Sequence, residues 1–143
     1  MTARLIDRAL RPLFDETIRN DVQVVVTALS VDGDNDAAIA GLIAASCALS
    51  ISPVPWDGPI AAARIGRINN ELVLNASIVQ AKEGDLDLIV AGTSEKLVMT
   101  EAGAKEVTDD EMFKAMKWGC DQLKPVVEFI KKIQAEMNVP KIA

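Results

Sequence analysis

The chain has 143 residues, with 15 basic against 21 acidic side chains and a formal net charge of −6. Half of the residues are apolar and a quarter are charged, with a mean hydropathy of +0.19; this balance excludes disorder and allows one well-packed domain. The acidic excess leaves nucleic-acid binding to a local basic patch, and the absence of histidine excludes triad catalysis, imidazole base chemistry and most zinc sites.

Arg4 to Phe14 reads as a short helix with Ile6, Leu10 and Leu13 on one face and Arg4, Arg8 and Arg11 on another. Asp7 and Arg11 form an i, i+4 pair within it, and Pro12 falls in its last turn or bends it. Val22 to Val31 is rich in β-branched residues and predicts a largely buried strand. The acidic turn 32–36 follows, with Asp36 placed to cap a helix from Ala37 to Ile51. That helix is apolar on nearly every face, which predicts the most buried helix of the domain. It is too short and too rich in Ala and Ser to span a bilayer, and the charged N-terminus is unlike a signal peptide, so no membrane role is expected.

Ile60 to Ile68 and Leu72 to Leu74 flank Asn69-Asn70-Glu71, a hairpin turn, and Leu86 to Ala91 and Lys96 to Thr100 flank a second one. Thr108 and Glu111 form a capping box for a final helix reaching about Met137, with an apolar stripe of Met112, Met116, Cys120, Leu123, Val127 and Ile130. Pro125 predicts a kink in it. Cys47 and Cys120, far apart and without a CxxC motif, read as free thiols of a reducing, cytoplasmic compartment. The element order predicts a single α+β or α/β unit without internal repeats.

All six arginines lie at or before Arg67 and all nine lysines at or after Lys82. A guanidinium offers a planar fork for phosphate, so Arg4, Arg8 and Arg11 form the best anion-binding candidate; a stripe of this kind is more often a solvated face or a set of interface ion pairs. Arg64 and Arg67, three apart in a strand, must point to opposite faces of the sheet, and one of them needs a buried partner. Asp32, Asp34 and Asp36 lack the spacing of a calcium loop and read as turn and cap. Asp85 and Asp87, two apart at a strand start, would share a face and are a weak candidate for holding a divalent ion.

The ordered words ARLIDRALRPLF, VQVVVTALSVDGDND, ALSIS, GPIAAARIGRIN, LVLN and LDLIVAGT closely resemble the first ribonuclease PH-like repeat of the bacterial polynucleotide phosphorylase family, and the resemblance covers about residues 3 to 135. The resemblance implies an α+β, ribonuclease PH-like (ribosomal protein S5 domain 2-like) β-α-β sandwich, incomplete at its N-terminus because Met1 falls inside the repeat. Residues 1–143 would then be a partial first domain, 1–105 its core and 106–143 a helix leading toward a helical linker. It also implies a phosphorolytic 3′→5′ exoribonuclease that converts RNA and inorganic phosphate to nucleoside diphosphates, uses Mg2+ or Mn2+, works in the cytoplasm and forms a homotrimeric ring.

Departures from the active form of the repeat bear on which residues carry function. The turn before the buried helix, which binds phosphate in active repeats, holds Asp32, Asp34 and Asp36, whose carboxylates repel an anion. Asp87 matches a metal-site acid, but Ile89 stands where a lysine is needed and Ala81 near an upstream acid. The resemblance therefore implies a degenerate copy that supports a catalytic second repeat, with no complete catalytic or metal set of its own. The resemblance implies that Arg4 and Arg8, which match arginines reaching toward the second repeat's site, bind RNA or phosphate, as does Arg64 near the vestigial site, with Arg11 a weaker candidate. A noncatalytic RNA-binding or scaffold module, or one half of a split gene, inactive alone, is the alternative expectation.

Overall fold

A computed structural model describes residues 2–142. Its centre is a four-stranded, fully antiparallel sheet of β1 (Ala61–Ile68), β2 (Glu71–Leu74), β3 (Leu86–Gly92) and β4 (Leu97–Ala104), in the order β2-β1-β3-β4. Both expected hairpins are present. Asn69 and Asn70 close the first with positive φ (50° and 65°), the backbone a two-residue turn needs and one asparagine tolerates. Between the hairpins lies α3 (Ile78–Glu83), a helix the sequence reading missed although Ser77 and Gln80 form a capping box for it.

Period-2 alternation sorts the sheet residues into two cores. Ala61, Ala63 and Ile65 of β1 and Leu86, Leu88 and Val90 of β3 pack against α4 (Asp109–Met137). Ala62 and Ala91 face the other way, toward α1 (Thr2–Leu10), α2 (Ala37–Ile51) and Trp56. Pro12 sits in a short 3-10 turn, Arg11–Leu13, that follows α1. Helix α4 is capped by the expected Thr108 and Glu111 pair and runs continuously through Pro125, which lies on its exposed side. Its inner stripe is shifted from the expected one: Ala115 and Gly119 are buried with Leu123, Val127 and Ile130, while Met112, Met116 and Cys120 are only half-buried. The small residues win because the helix comes close to the sheet; a Cβ on Gly119 would lie 2.1 Å from Ile65 Cδ1.

Helix α2 begins as expected, with Asp36 Oδ1 accepting a hydrogen bond from the Ala38 N–H at 2.8 Å. Its inner side is dry, with Leu42 fully buried and Ala45 and Leu49 nearly so. Two polar groups share that interior. The buried Ser46 hydroxyl accepts from the Ile60 N–H at 3.0 Å, and Ser50 donates to the Ser46 carbonyl at 2.8 Å. Ile60 opens the path into β1, so Ser46 supplies the partner that an amide outside the ladder lacks.

The expected strand Val22 to Val31 does not form. Among the described residues, 22–31 make no backbone hydrogen bond and belong to no helix or strand. Val25 and Leu29 are 75% and 94% exposed. β-branched composition favours a strand only where a neighbouring strand pairs with it, and none of the four strands lies beside this run. It lies partly over α2 instead, close enough that a Cβ on Gly41 would be 3.2 Å from Val26 Cγ1. Among the described residues the β layer is the single four-stranded sheet, and α2 leaves Ala37, Ala40, Ala44 and Ala48 exposed.

Replacing Ser46 with alanine should lower stability by about 1–3 kcal/mol, the cost of leaving a buried amide unpaired. Ser50→Ala should cost distinctly less, because it removes a donor whose acceptor keeps its helical partner. Urea denaturation of the two variants beside the parent chain measures the difference, and equal midpoints for all three would refute the role given to Ser46.

Candidate functional site

Three clusters of charge occupy the surface and edges of this scaffold. The first is α1, which buries Leu5, Ile6, Ala9 and Leu10 and turns Arg4, Asp7 and Arg8 outward. Arg4 makes no hydrogen bond or ion pair with any described residue. Arg8 reaches β4, donating from Nη1 to Glu101 Oε2 at 2.9 Å and from Nη2 to the Thr100 carbonyl at 3.3 Å, with both charged side chains at least 40% exposed. Arg11 closes on Asp7 through Nε and Nη2 at 2.7–3.1 Å. Exposed pairs of this kind are worth about 0–1 kcal/mol, so a phosphate can displace the carboxylate from Arg8 or Arg11 at small cost.

The second cluster joins the sheet to the start of α2. Arg64 of β1 presents Nε and Nη2 to the two carboxylate oxygens of Asp87 on β3, both at 2.7 Å, and Nη1 to Asp36 Oδ2 at 3.3 Å. The Asp87 hydrogen bonds raise the Arg64 pKa against the opposing effect of burial. Asp36 thus caps α2 with one oxygen and meets Arg64 with the other. The preceding turn is self-contained: Asp32 accepts from the Asp34 and Asn35 amides and from Asn35 Nδ2, and these hydrogen bonds, led by the Asn35 amide, hold its carboxyl below the usual range.

The third cluster lies on the opposite face. Arg67, whose side chain is 10% exposed, makes a bidentate contact to Asp85 at 2.7 and 2.8 Å and a further bond from Nη1 to Glu111 at 2.6 Å. Arg64 and Arg67 do point to opposite faces, and both have carboxylate partners. Asp85 and Asp87, expected to share a face, are separated: Asp85 precedes β3 and turns to Arg67, whereas Asp87 turns to Arg64. The sequence spacing missed this because Asp85 is outside the pleat.

Asp87, the candidate metal ligand, spends both oxygens on Arg64, and among the described residues no group of three or more acidic or cysteine side chains converges. The residues present do not suit a divalent cation. Ile89 packs against the core of α1 and α2, and Ala81 is buried on α3. Neither Cys47 nor Cys120 is in a disulfide, and burial raises the Cys120 thiol pKa. No helix among the described residues is long and apolar enough to cross a membrane.

The fold of this chain superposes on the crystal structure of rice (Oryza sativa) Rrp46 with a TM-score of 0.64 over 73% of this chain and 51% of that one at 13% identity. Two family models match in turn, the 3′ exoribonuclease family domain 1 at residues 1–55 and domain 2 at residues 58–122. The chain belongs to the 3′ exoribonuclease family. Within it, the chain is similar to polyribonucleotide nucleotidyltransferases: 48% identical to that of Exiguobacterium sibiricum, 45% to that of Heliobacterium modesticaldum and 46% to that of Enterococcus faecalis, with 99–100% of this chain aligned. It spans about a fifth of the length of these relatives (19–20%).

Glu111 supplies a pH-dependent contact. Hydrogen bonds from the Thr108 hydroxyl and amide, then from Arg67, hold its pKa at about 2 against an ordinary 4.5. A carboxyl depressed by folding contributes stability above its ordinary pKa and loses it as the pH falls toward the folded value. Acid titration followed by circular dichroism should therefore show the Glu111→Gln variant, which keeps the capping-box acceptor, losing less stability than the parent between about pH 4.5 and 2. Superimposable acid profiles would show that the charge on Glu111 contributes nothing.

Proposed function

We propose that this chain is the supporting, degenerate first ribonuclease PH-like repeat of a phosphorolytic 3′→5′ exoribonuclease, in which RNA and inorganic phosphate yield nucleoside diphosphates at a site completed by a second repeat. The observation that carries this reading is the occupation of its own anion-binding elements by carboxylates. Asp36 and Asp87 hold the Arg64 fork, and Asp32 is folded into the turn at the head of α2. A phosphate entering there would have to displace two carboxylates from a guanidinium that is only 16% exposed.

Arg4 and Arg8 are the residues through which this chain meets RNA or phosphate, Arg4 directly and Arg8 by exchanging Glu101 for a phosphate oxygen. Arg11 contributes less because Asp7 competes for it. Arg64 serves the same region by holding the turn in place. Mg2+ or Mn2+ acts in the complete enzyme through ligands of the other repeat. The setting is the cytoplasm and the assembly a homotrimeric ring, with residues 1–105 as the core of the partial domain and 106–143 as the C-terminal segment that carries α4 and precedes a helical linker.

The unpaired run 22–31 supports a second reading, that of a noncatalytic RNA-binding or scaffold module assembled with a separate partner chain. Exposed valines and unpaired backbone groups make a surface that gains from a neighbouring sheet. A chain of this kind purified alone should self-associate.

Two experiments test these readings. The 143-residue chain, purified free of host enzyme and given poly(A), phosphate and Mg2+, should release no ADP, and adding a polypeptide with the second repeat should be required for turnover. ADP released by the chain alone would contradict the proposal. In the active assembly, replacing Arg4 and Arg8 together with alanine should weaken RNA binding without unfolding the chain. Each lost phosphate contact should flatten the salt dependence of binding by about 0.7 log units per log unit of salt. An unchanged slope in an intact assembly would assign both arginines to interface ion pairs instead.

A further inference from the structure

Helix α4 ends at Met137, and Asn138 turns the chain with left-handed backbone angles (φ 45°, ψ 43°), its N–H bonded to the Gln134 carbonyl at 2.9 Å. The chain then crosses to the other helical layer and meets the C-terminal end of α2. Lys141 Nζ donates to the carbonyls of Leu49, Ser50 and Ser52 at 2.7, 3.2 and 2.8 Å, so all three ammonium donors are used. The Ile142 N–H donates to the Pro53 carbonyl at 2.8 Å. No carboxylate pairs with Lys141 among the described residues, and desolvation lowers its pKa.

We infer that residues 138–142 form a latch, locked by the Lys141 ammonium on the carbonyl end of α2, that ties the end of α4 to the helix carrying Asp36 at its other end. The last carbonyls of a helix lack the usual i+4 partner and sit at the negative end of its dipole; that of Leu49 also accepts from the Ser52 N–H and hydroxyl at 3.2 and 2.9 Å. A compact ammonium with three rotatable donors can serve several of them at once, whereas a guanidinium holds its donors in one plane. The latch holds by one charged group, so its closure depends on that charge more than on apolar burial; Ile142 itself is 61% exposed.

Hydrogen exchange of the chain, read at the Ile142 amide, tests the latch. Lys141→Met keeps the length and removes the charge and donors, and should speed exchange there by about tenfold, the scale of a lost charge-assisted hydrogen bond. Lys141→Arg should restore protection only in part. Unchanged exchange in Lys141→Met would overturn the inference. A second measurement needs no variant: trypsin should cleave after Lys141 in the folded chain at least about tenfold more slowly than in a free peptide of residues 134–143, because the held ammonium cannot enter the protease pocket. Equal cleavage rates would likewise overturn it.

Discussion

The guanidinium of Arg64 is the point at which the sheet and the helical layer above it are fixed to each other. Two of its nitrogens hold Asp87 on the neighbouring strand, and the third reaches Asp36, whose other oxygen caps α2. The burial of Leu42, Ala45 and Leu49 positions α2 only as hydrophobic contact does, without direction. The Arg64 fork adds direction, because bidentate geometry is satisfied in one orientation of the two carboxylates. The same contacts set carboxylates against an incoming anion, since each of the three guanidinium nitrogens already donates to a carboxylate oxygen.

Arg67 plays the matching part on the other face. It joins the residue before β3 to the first turn of α4, where Glu111 is also half of the capping box. Both helical layers are thus registered on the sheet by one arginine each, three residues apart on β1. The strand's alternation makes this possible, and its alanines matter as much as its arginines: Ala61, Ala62 and Ala63 let α2 and α4 approach their respective faces closely.

Against this ordered centre, residues 22–31 stand out as a segment whose composition and conformation disagree. A run with so many valines gains its stability from cross-strand neighbours, and here it has none, so its side chains remain largely in water. Together with the exposed alanines of α2, it defines one open side of the molecule. The proposed role as a supporting repeat agrees with such a surface, because a support is built to be covered by what it supports.

Much of the fold was legible in the sequence where local chemistry decides it. The two hairpins follow from asparagine and glycine turns, the start of α2 from Asp36, the start of α4 from Thr108 and Glu111, and the opposite facing of Arg64 and Arg67 from strand alternation alone. The family was legible as well, because six motifs in fixed order constrain more than any one of them. What only the tertiary structure decided are the partners of groups far apart in the chain: Arg64 with Asp87, Arg67 with Glu111, Ser46 with the Ile60 amide, and Lys141 with the end of α2. The separation of Asp85 from Asp87 and the exposure of Val22 to Val31 belong to the same group. Local pattern states what a residue can offer to a neighbour; which neighbour is present depends on how distant elements pack, and for residues 22–31 no neighbouring strand is there to accept the offer.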